Sequence, residues 1–356
     1  MLNNNGKPPL RRALIQFAIE PPLPRSPPRS IAHPFDRLTP DFIIEALLSV
    51  GLNADGRLLA LNSYENRVYQ VGIEEAAPLV AKFYRPQRWN ADALQEEHDF
   101  AHELQAADIP VVAPERFDGR TLLYWQGFHF AIYRRQGGRW PELNHADDWR
   151  FLGRFLGRIH SMGRRQPFAH RVTLSIEEWA DRSRRFLLSS DWLPAHLHDA
   201  YCSITDDLLD RMELRWSSIE FRSLRLHGDC HLGNVLWVEA EGPHFVDLDD
   251  CMMGPAVQDI WMLLSGSPAE QAQQLHDLLE GYGQFADFDW SELALIETLR
   301  TLRLMNYAAW LARRWQDPAF PRAFPWFGDH KYWERHVLDL REQLAALDEP
   351  PLNAVV

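Results

Sequence analysis

Between Arg57 and Arg134 the sequence falls into short β-branched and aromatic runs, RLLALNS, NRVYQVG, LVAKFYR, TLLYW and FHFAIYR, with one helix-forming stretch, ADALQEEHDFAHELQ, inserted after the third. Runs of this length bounded by turn residues form strands, and Asn90 is placed to cap the inserted helix. From about Arg135 the period changes. Leu152, Phe155, Leu156 and Ile159 stand at i, i+3, i+4 and i+7, which puts them on one buried helical face, and residues 255–264 and 292–315 repeat that spacing. The chain is therefore predicted to be α+β and two-lobed, with a five-stranded antiparallel sheet and one helix in residues 35–134 and a mainly helical lobe in residues 135–352. One small β insertion, LRL, VLWV and HFVDLD, interrupts the helices. Ahead of the sheet, TPDFIIEALLSVGL predicts a helix with Thr39 as N-cap, Pro40 in the first position and Gly51 as terminator. A length of 356 residues suits two cores.

Residues 1–34 contain PPL and PRSPPRS and too little apolar surface to offset the entropy of ordering, so they predict a disordered or polyproline-like tail. Its arginines suggest a transit peptide, its prolines argue against the amphipathic helix such a peptide needs, and an over-extended start is the other reading. Three cysteines are too few for a disulfide framework, which favours a reducing compartment, the cytoplasm. The longest apolar runs, such as Ile43 to Val50, fall far short of the roughly 20 residues that cross a bilayer. With 37 Lys and Arg against 50 Asp and Glu, and no long basic run, nucleic acid is not an expected partner.

The segment HGDCHLGN sets His227, Asp229 and Asn234 in the order H-x-D-x-x-x-x-N, the spacing of a phosphoryl-transfer loop. Such a loop needs a carboxylate to take or orient the proton of the attacking hydroxyl and an amide oxygen to hold Mg²⁺ nearby. Asp229 is read as the base and Asn234 as a metal ligand. Thirteen positions later FVDLDD supplies Asp247, the second metal ligand and, with Asp229, the second catalytic carboxylate. Asp249 and Asp250 suit the capping of amides, or the same metal. Incidental loop residues, or a zinc cluster of His227, Cys230 and His231, are the competing readings.

Lys82 in LVAKFY resembles the strand lysine that holds the α- and β-phosphates of ATP, with Glu97 as its acidic partner and Glu96 as the fallback. A lysine on a solvated strand face is the bland alternative. No G-x-G-x-x-G follows the first strand. Asn62 and Ser63 in LNSYENRVY are instead read as cradling phosphate oxygens at the ATP site, against a plain hairpin turn. Asp259 in GPAVQDIWMLL is read as a structural support of the HGD loop. An acidic chain that handles ATP needs metal ions to screen the triphosphate, so Mg²⁺ and ATP are the expected cofactors.

Together HGDCHLGNVLW, FVDLDDC and GPAVQDIWMLL resemble the aminoglycoside phosphotransferase and choline kinase superfamily. LNSYENRVYQV, KFYRPQRW, VQDIWMLL and RRWQDPAFPRAFPW resemble, more narrowly, the bacterial stress response kinase A (YihE/RdoA) family, over roughly Pro34 to Leu352. That resemblance implies a protein kinase-like bilobal fold and a cytoplasmic, monomeric, Mg²⁺-dependent kinase of protein serine and threonine, tied to oxidative and envelope stress. It implies Asp229 as proton acceptor, Asn234 and Asp247 as Mg²⁺ ligands and Ser63 at the ATP site. The proline-rich first 30 or so residues depart from the family pattern. A kinase of an aminoglycoside, choline or homoserine, and a nucleotide-binding pseudokinase, are the alternatives. Trp310, Trp315, Phe320, Phe324, Trp326 and Phe327, beside Arg313 and Arg314, are read either as a substrate wall or as core. Cys230 is read either as a redox sensor or as an inert buried thiol.

Overall fold

Thr39 Oγ1 accepts the Phe42 amide, Pro40 needs no partner for its missing N–H, and α1 (Pro40–Leu48) begins between them. The chain turns out of α1 at Gly51, whose φ of 83° few other residues adopt. In the computed structural model residues 33–239 and 241–352 are described. The tail predicted for residues 1–34 therefore lies outside the described residues, except for its last two. His33 and Pro34 belong instead to the fold: His33 caps a short 3₁₀ turn, Pro34–Arg37, that buries Phe35.

Strands β1 (Ala54–Leu61), β2 (Arg67–Ile73) and β3 (Ala76–Phe83) precede α2 (Ala91–Ala106), and β4 (Leu123–Trp125) and β5 (Phe128–Arg134) follow it. They form one antiparallel sheet in the order β1-β2-β3-β5-β4. Phe42, Ile43, Ala46 and Leu47 of α1 pack on Val71, Phe83, Phe128 and Phe130 of the sheet. Each large side chain so buried stabilises the fold by about 1.5–3 kcal/mol. The Asn90 side chain accepts the Ala93 amide at 2.8 Å and starts α2 where expected. That helix faces two ways: Leu94 packs with Tyr84 and Ala131, whereas Phe100, Ala101 and Leu104 join the core of the helical lobe. Lys82, on the neighbouring strand, is thus brought to the junction.

The helical lobe contains α3 (Ala146–Gly163), α4 (Arg182–Leu188) and α5 (His198–Ser218). After β6 (Leu224–Leu226), β7 (Val235–Val238), β8 (Gly242–Phe245) and β9 (Met252–Gly254) come α6 (Val257–Trp261), α7 (Pro268–Tyr282), α8 (Ile296–Arg314), α9 (Ala319–Ala323) and α10 (His330–Ala346). Helices α3 and α7 cross in backbone contact. A Cβ at Gly153 would sit 2.0 Å from the Leu278 carbonyl, and one at Gly281 would sit 1.9 Å from that of Arg150. Leu152, Leu156 and Ile159 are buried on the predicted face of α3, with Phe155 half-buried beside them.

The β insertion differs from its sequence reading. VLWV and the PHF strand form one hairpin, β7–β8, but LRL pairs with MMG, a strand the pattern did not reveal, as β6–β9. HFVDLD leaves the ladder at Phe245, so Asp247 lies beyond the strand in a left-handed turn with φ 60°. The two ribbons grip the two ends of the HGD segment, and that is what positions the site.

Candidate active site

The loop after β6 is held from below. Asp259, buried on α6, accepts the His227 amide on one carboxylate oxygen and the Gly228 amide on the other, each at 2.8 Å, as its structural reading expected. Gln258 Nε2 donates to the Gly228 carbonyl at 3.1 Å, and His227 Nε2 donates to the Val246 carbonyl at 2.9 Å. Only glycine fits between His227 and Asp229. Its φ is 86°, and a Cβ there would lie 2.0 Å from the Asp250 carbonyl. The HGD loop and the Asp247–Asp250 turn are therefore stacked backbone on backbone.

Asp229 projects from this loop, partly exposed. Arg303 of α8 donates to its Oδ1 at 2.8 Å, and His231 Nε2 stands 3.4 Å from its Oδ2. Burial alone would raise the Asp229 pKa, but the His231 hydrogen bond and the Arg303 charge outweigh it and hold the carboxyl well below its usual range. Asn234 Nδ2 donates to the Asp229 carbonyl at 3.0 Å, which turns the amide oxygen away from Asp229. The Val246 amide donates to the Asn234 carbonyl at 3.0 Å, so Asn234 and Asp247 lie on adjoining turns.

Lys82 reaches into the same cleft from β3. Its ammonium, almost wholly buried, lies 3.0 Å from Asp247, 3.1 Å from Asp249 and 3.4 Å from Glu97. Burial would lower its pKa, and the three carboxylates reverse that and hold it well above the usual value. Glu97 is pinned on its other oxygen by Arg171 at 2.7 Å. Glu96, the fallback partner, points elsewhere: it accepts the amides of Ala169, His170 and Arg171 at 2.6 to 3.0 Å and anchors that loop. Asp249 and Asp250 hold a cation rather than amides. Both pair with Arg88, Asp250 at 2.5 Å. Burial, with the neighbouring carboxylates, pushes Asp250 up to about 6 despite Arg88.

Around Lys82, then, Glu97, Asp247, Asp249 and Asp250 face Lys82, Arg88 and Arg171, and Asp247 is the carboxylate most exposed to the cleft, at 54% of its side chain. An excess of negative charge beside an exposed carboxylate and an amide, all hard oxygen donors, suits Mg²⁺. A zinc cluster of His227, Cys230 and His231 does not fit this arrangement. His227 is bonded to the Val246 carbonyl, Cys230 is fully buried with its thiol pushed up by burial, and His231 turns to Asp229. Full burial of Cys230 is the environment that its reading as an inert thiol expects.

Ser63 lies half-buried in the β1–β2 turn, with Asn62 exposed beside it. The turn is fastened across the cleft, in part by the C-terminal aromatics and Arg314 read above as a substrate wall or as core. Glu65 meets Arg314 at 2.7 Å, Arg85 at 3.1 Å and Trp310 Nε1 at 2.7 Å, and Tyr64 packs on Phe324. Buried Asp317 binds Arg67 at 2.6 Å and Arg85 at 2.7 Å. The C-terminal aromatics are largely packing: Trp315 meets Trp192 edge to face, Phe327 packs tilted on Trp192, and Trp310 meets Phe320 edge to face. Arg88 was within reach of sequence reasoning, since it lies in the KFYRPQRW string. Asp317 was within reach for the same reason, in RRWQDPAFPRAFPW, whereas Arg171 and Arg303 carry no local signal.

Residues 57–296 match the phosphotransferase enzyme family. The chain is 48% identical over 322 residues to stress response kinase A of Escherichia coli strain K12, and 46% identical to the serine/threonine protein kinase RdoA of Salmonella typhimurium, each match spanning 90% of this chain and 97% of the relative. Its fold matches an amicoumacin kinase solved with AMP-PNP and Ca²⁺ at a TM-score of 0.67 and 18% identity, covering 85% of this chain and 91% of that one. Among the described residues no helix is long and apolar enough to cross a membrane.

Proposed function

The chain belongs to the phosphotransferase enzyme family and, within it, to the stress response kinases A, and from that premise we propose that it is an ATP- and Mg²⁺-dependent kinase of protein serine and threonine, acting as a cytoplasmic monomer in a bacterial stress response. The observation that carries the reading is the convergence of Lys82 from the sheet lobe with Asp247 from the helical lobe at 3.0 Å, beside a loop that presents Asp229 and Asn234.

In this reading residues 35–134 and 135–352 are the two lobes, and ATP lies between them. The buried Lys82 ammonium, steadied by Glu97, meets the α- and β-phosphates, while the backbone and hydroxyl of Ser63 in the β1–β2 turn approach the phosphate chain. Asn234 and Asp247 are the residues that would hold Mg²⁺, which neutralises charge on the β- and γ-phosphates when bound. Asp229 orients the acceptor hydroxyl. As the acceptor oxygen bonds to the γ-phosphorus, the bond to the bridging oxygen of ADP breaks and the hydroxyl proton passes to an Asp229 oxygen. A carboxylate with a depressed pKa is a weak base, which suits a loose transition state that asks more for alignment than for early proton removal.

Radiolabelled ATP with Mg²⁺, offered together with generic protein substrates, amino alcohols and aminoglycosides, tests the assignment. Label on protein serine or threonine supports it. Label on the small molecules alone overturns the protein-kinase assignment, and absence of transfer, autophosphorylation and hydrolysis together leaves a nucleotide-binding pseudokinase.

A further inference from the structure

The acceptor side of the cleft carries a cation that phosphoryl transfer itself does not require. Along α8, Arg300, Arg303, Tyr307, Trp310 and Arg314 recur at intervals of three and four and form one partly exposed stripe. Two contacts fix how it runs. Arg303 touches Asp229, and Trp310 and Arg314 touch Glu65 in the β1–β2 turn. At 1.5 Å per residue the stretch from Arg303 to Arg314 is about 16 Å long. The stripe therefore walls the cleft from the carboxylate that meets the acceptor to the turn assigned to the phosphates, and an acceptor must enter along it.

The charges on this wall are not equivalent. Arg314 is matched by Glu65 at 2.7 Å, and Arg300 by Glu297 at 3.0 Å and Gln271 at 2.6 Å. Arg303 leans on Asp229, the very group the acceptor hydroxyl must engage, and its side chain is 40% exposed. When a hydroxyl takes an Asp229 oxygen, Arg303 gives up part of its partner in a partly desolvated site. An acceptor with a carboxylate or phosphate next to the reacting hydroxyl replaces that partner, whereas an acceptor with an ammonium there sets like charges side by side. The other groups facing Asp229 do not reverse this. His231 adds no negative charge, and Asp247 and Asp250 lie on the nucleotide side, engaged by Lys82 and Arg88. The net charge of −13 repels an anionic acceptor at long range, but that repulsion is screened beyond about 8–10 Å at physiological salt, so contact with Arg303 decides.

We infer that Arg303 determines acceptor specificity, and that this kinase takes serine or threonine flanked by acidic side chains in preference to acceptors that carry a cation beside the reacting hydroxyl. The substrate class rests on the protein-kinase reading above; the role of Arg303 does not.

The test compares serine peptides identical except for acidic or basic flanks, and, in parallel, glycerate with choline, on the wild type and on Arg303→Glu, Arg303→Gln and Arg303→Lys. The readout is the ratio of kcat/KM for the anionic over the cationic member within each protein, so a general loss of rate cancels. Where a variant does not turn over, the same ratio is taken from peptide Kd values in the AMP-PNP complex. The expected ratio is about tenfold or more in favour of the acidic peptide for wild type, largely retained in Arg303→Lys, near one in Arg303→Gln and inverted in Arg303→Glu. A wild-type ratio at or below one, or an acidic preference that survives Arg303→Glu unchanged, overturns the inference. If only the small alcohols are phosphorylated, the protein-kinase reading falls and the glycerate-to-choline ratio still decides the role of Arg303.

Discussion

The floor and the wall of the cleft are built by opposite means. The backbone of the floor, from His227 to Asp250, is held by hydrogen bonds between side chains and backbone within one stretch of about thirty residues, Asp259 on two amides, His227 on the Val246 carbonyl and Asn234 on the Asp229 carbonyl, and its distant ion pairs reach only the carboxylates it presents. The wall, α8 with the α9 segment, is fastened by side-chain ion pairs to residues some 230 to 250 positions away, such as Asp317 with Arg67 and Arg85. Backbone-anchored geometry has little freedom, so its errors reach the reacting atoms directly. Ion pairs between lobes can be lost and leave each lobe folded. Changes in the floor should therefore strike turnover, and changes in the wall should strike affinity and lobe closure.

The largest effect is expected at the tip of the floor. Asp229→Ala should lower kcat by about 10²–10⁴-fold, the range for losing a positioned general base, while the ATP Kd measured by calorimetry stays within a few-fold of wild type. Full activity in this variant would remove Asp229 from the mechanism. Next comes Gly228→Ala, which leaves every functional side chain in place. Its Cβ would need the space of the Asp250 carbonyl at 2.0 Å, so the two turns must separate. A displacement of about 1 Å at a reacting group costs on the order of 10²-fold in rate. A folded Gly228→Ala protein with wild-type kcat would show that the stacking of the two turns is not needed.

The wall should respond differently. Asp317 is 1% exposed and faces two guanidiniums, which, together with the Ala319 amide, hold its carboxyl below the usual range against the effect of burial. Asp317→Ala leaves Arg67 without a carboxylate partner and Arg85 with Glu65 alone, at a cost of up to about 3–5 kcal/mol in stability. It should raise the KM for ATP several-fold with only a small change in kcat, because the β1–β2 turn loses one of its ties to the α9 segment and keeps the packing of Tyr64 on Phe324. A fall in kcat with KM unchanged would put Asp317 with the floor.

The same contrast governs what was legible beforehand. The five strands, α2 with its Asn90 cap, and the helical period of α3 follow from local rules, and all are present. Asp229, Asn234, Asp247, Lys82 and Glu97 could be nominated because each stands in a short local pattern on a loop, a strand or a helix, and the structure brings them to one cleft. Strand β9 was missed because MMG is too short to show alternation and its partners are distant, LRL 26 to 30 residues upstream and Thr173 farther still. Asp249 and Asp250 were misread because Arg88, their partner, lies some 160 positions away. Arg303 likewise stands in ordinary helical sequence, and Asp317, although it lies in the RRWQDPAFPRAFPW string, gets its partners only from the packing of one lobe on the other.

The smallest effect tests whether the floor relies on charge at all or only on hydrogen bonds. Glu292 is buried and accepts the Val257 amide at 2.9 Å, at the start of the helix that carries Asp259. Burial, reinforced by Asp289, pushes its carboxyl up to about 7 against the pull of that hydrogen bond. The folded state therefore binds this proton more tightly than the unfolded chain does. The stabilisation is fully present below the ordinary carboxylate range and is lost as pH rises through about 7. Glu292→Gln keeps an acceptor for the Val257 amide and does not titrate. Its stability relative to wild type should rise between pH 5 and pH 8 by up to about 3 kcal/mol, read from urea midpoints at the two values. A difference that stays constant across that range would mean that Glu292 is ionised throughout in the folded protein. The charge itself, and not merely the hydrogen bond, would then be part of how α6 presents Asp259 to the HGD loop.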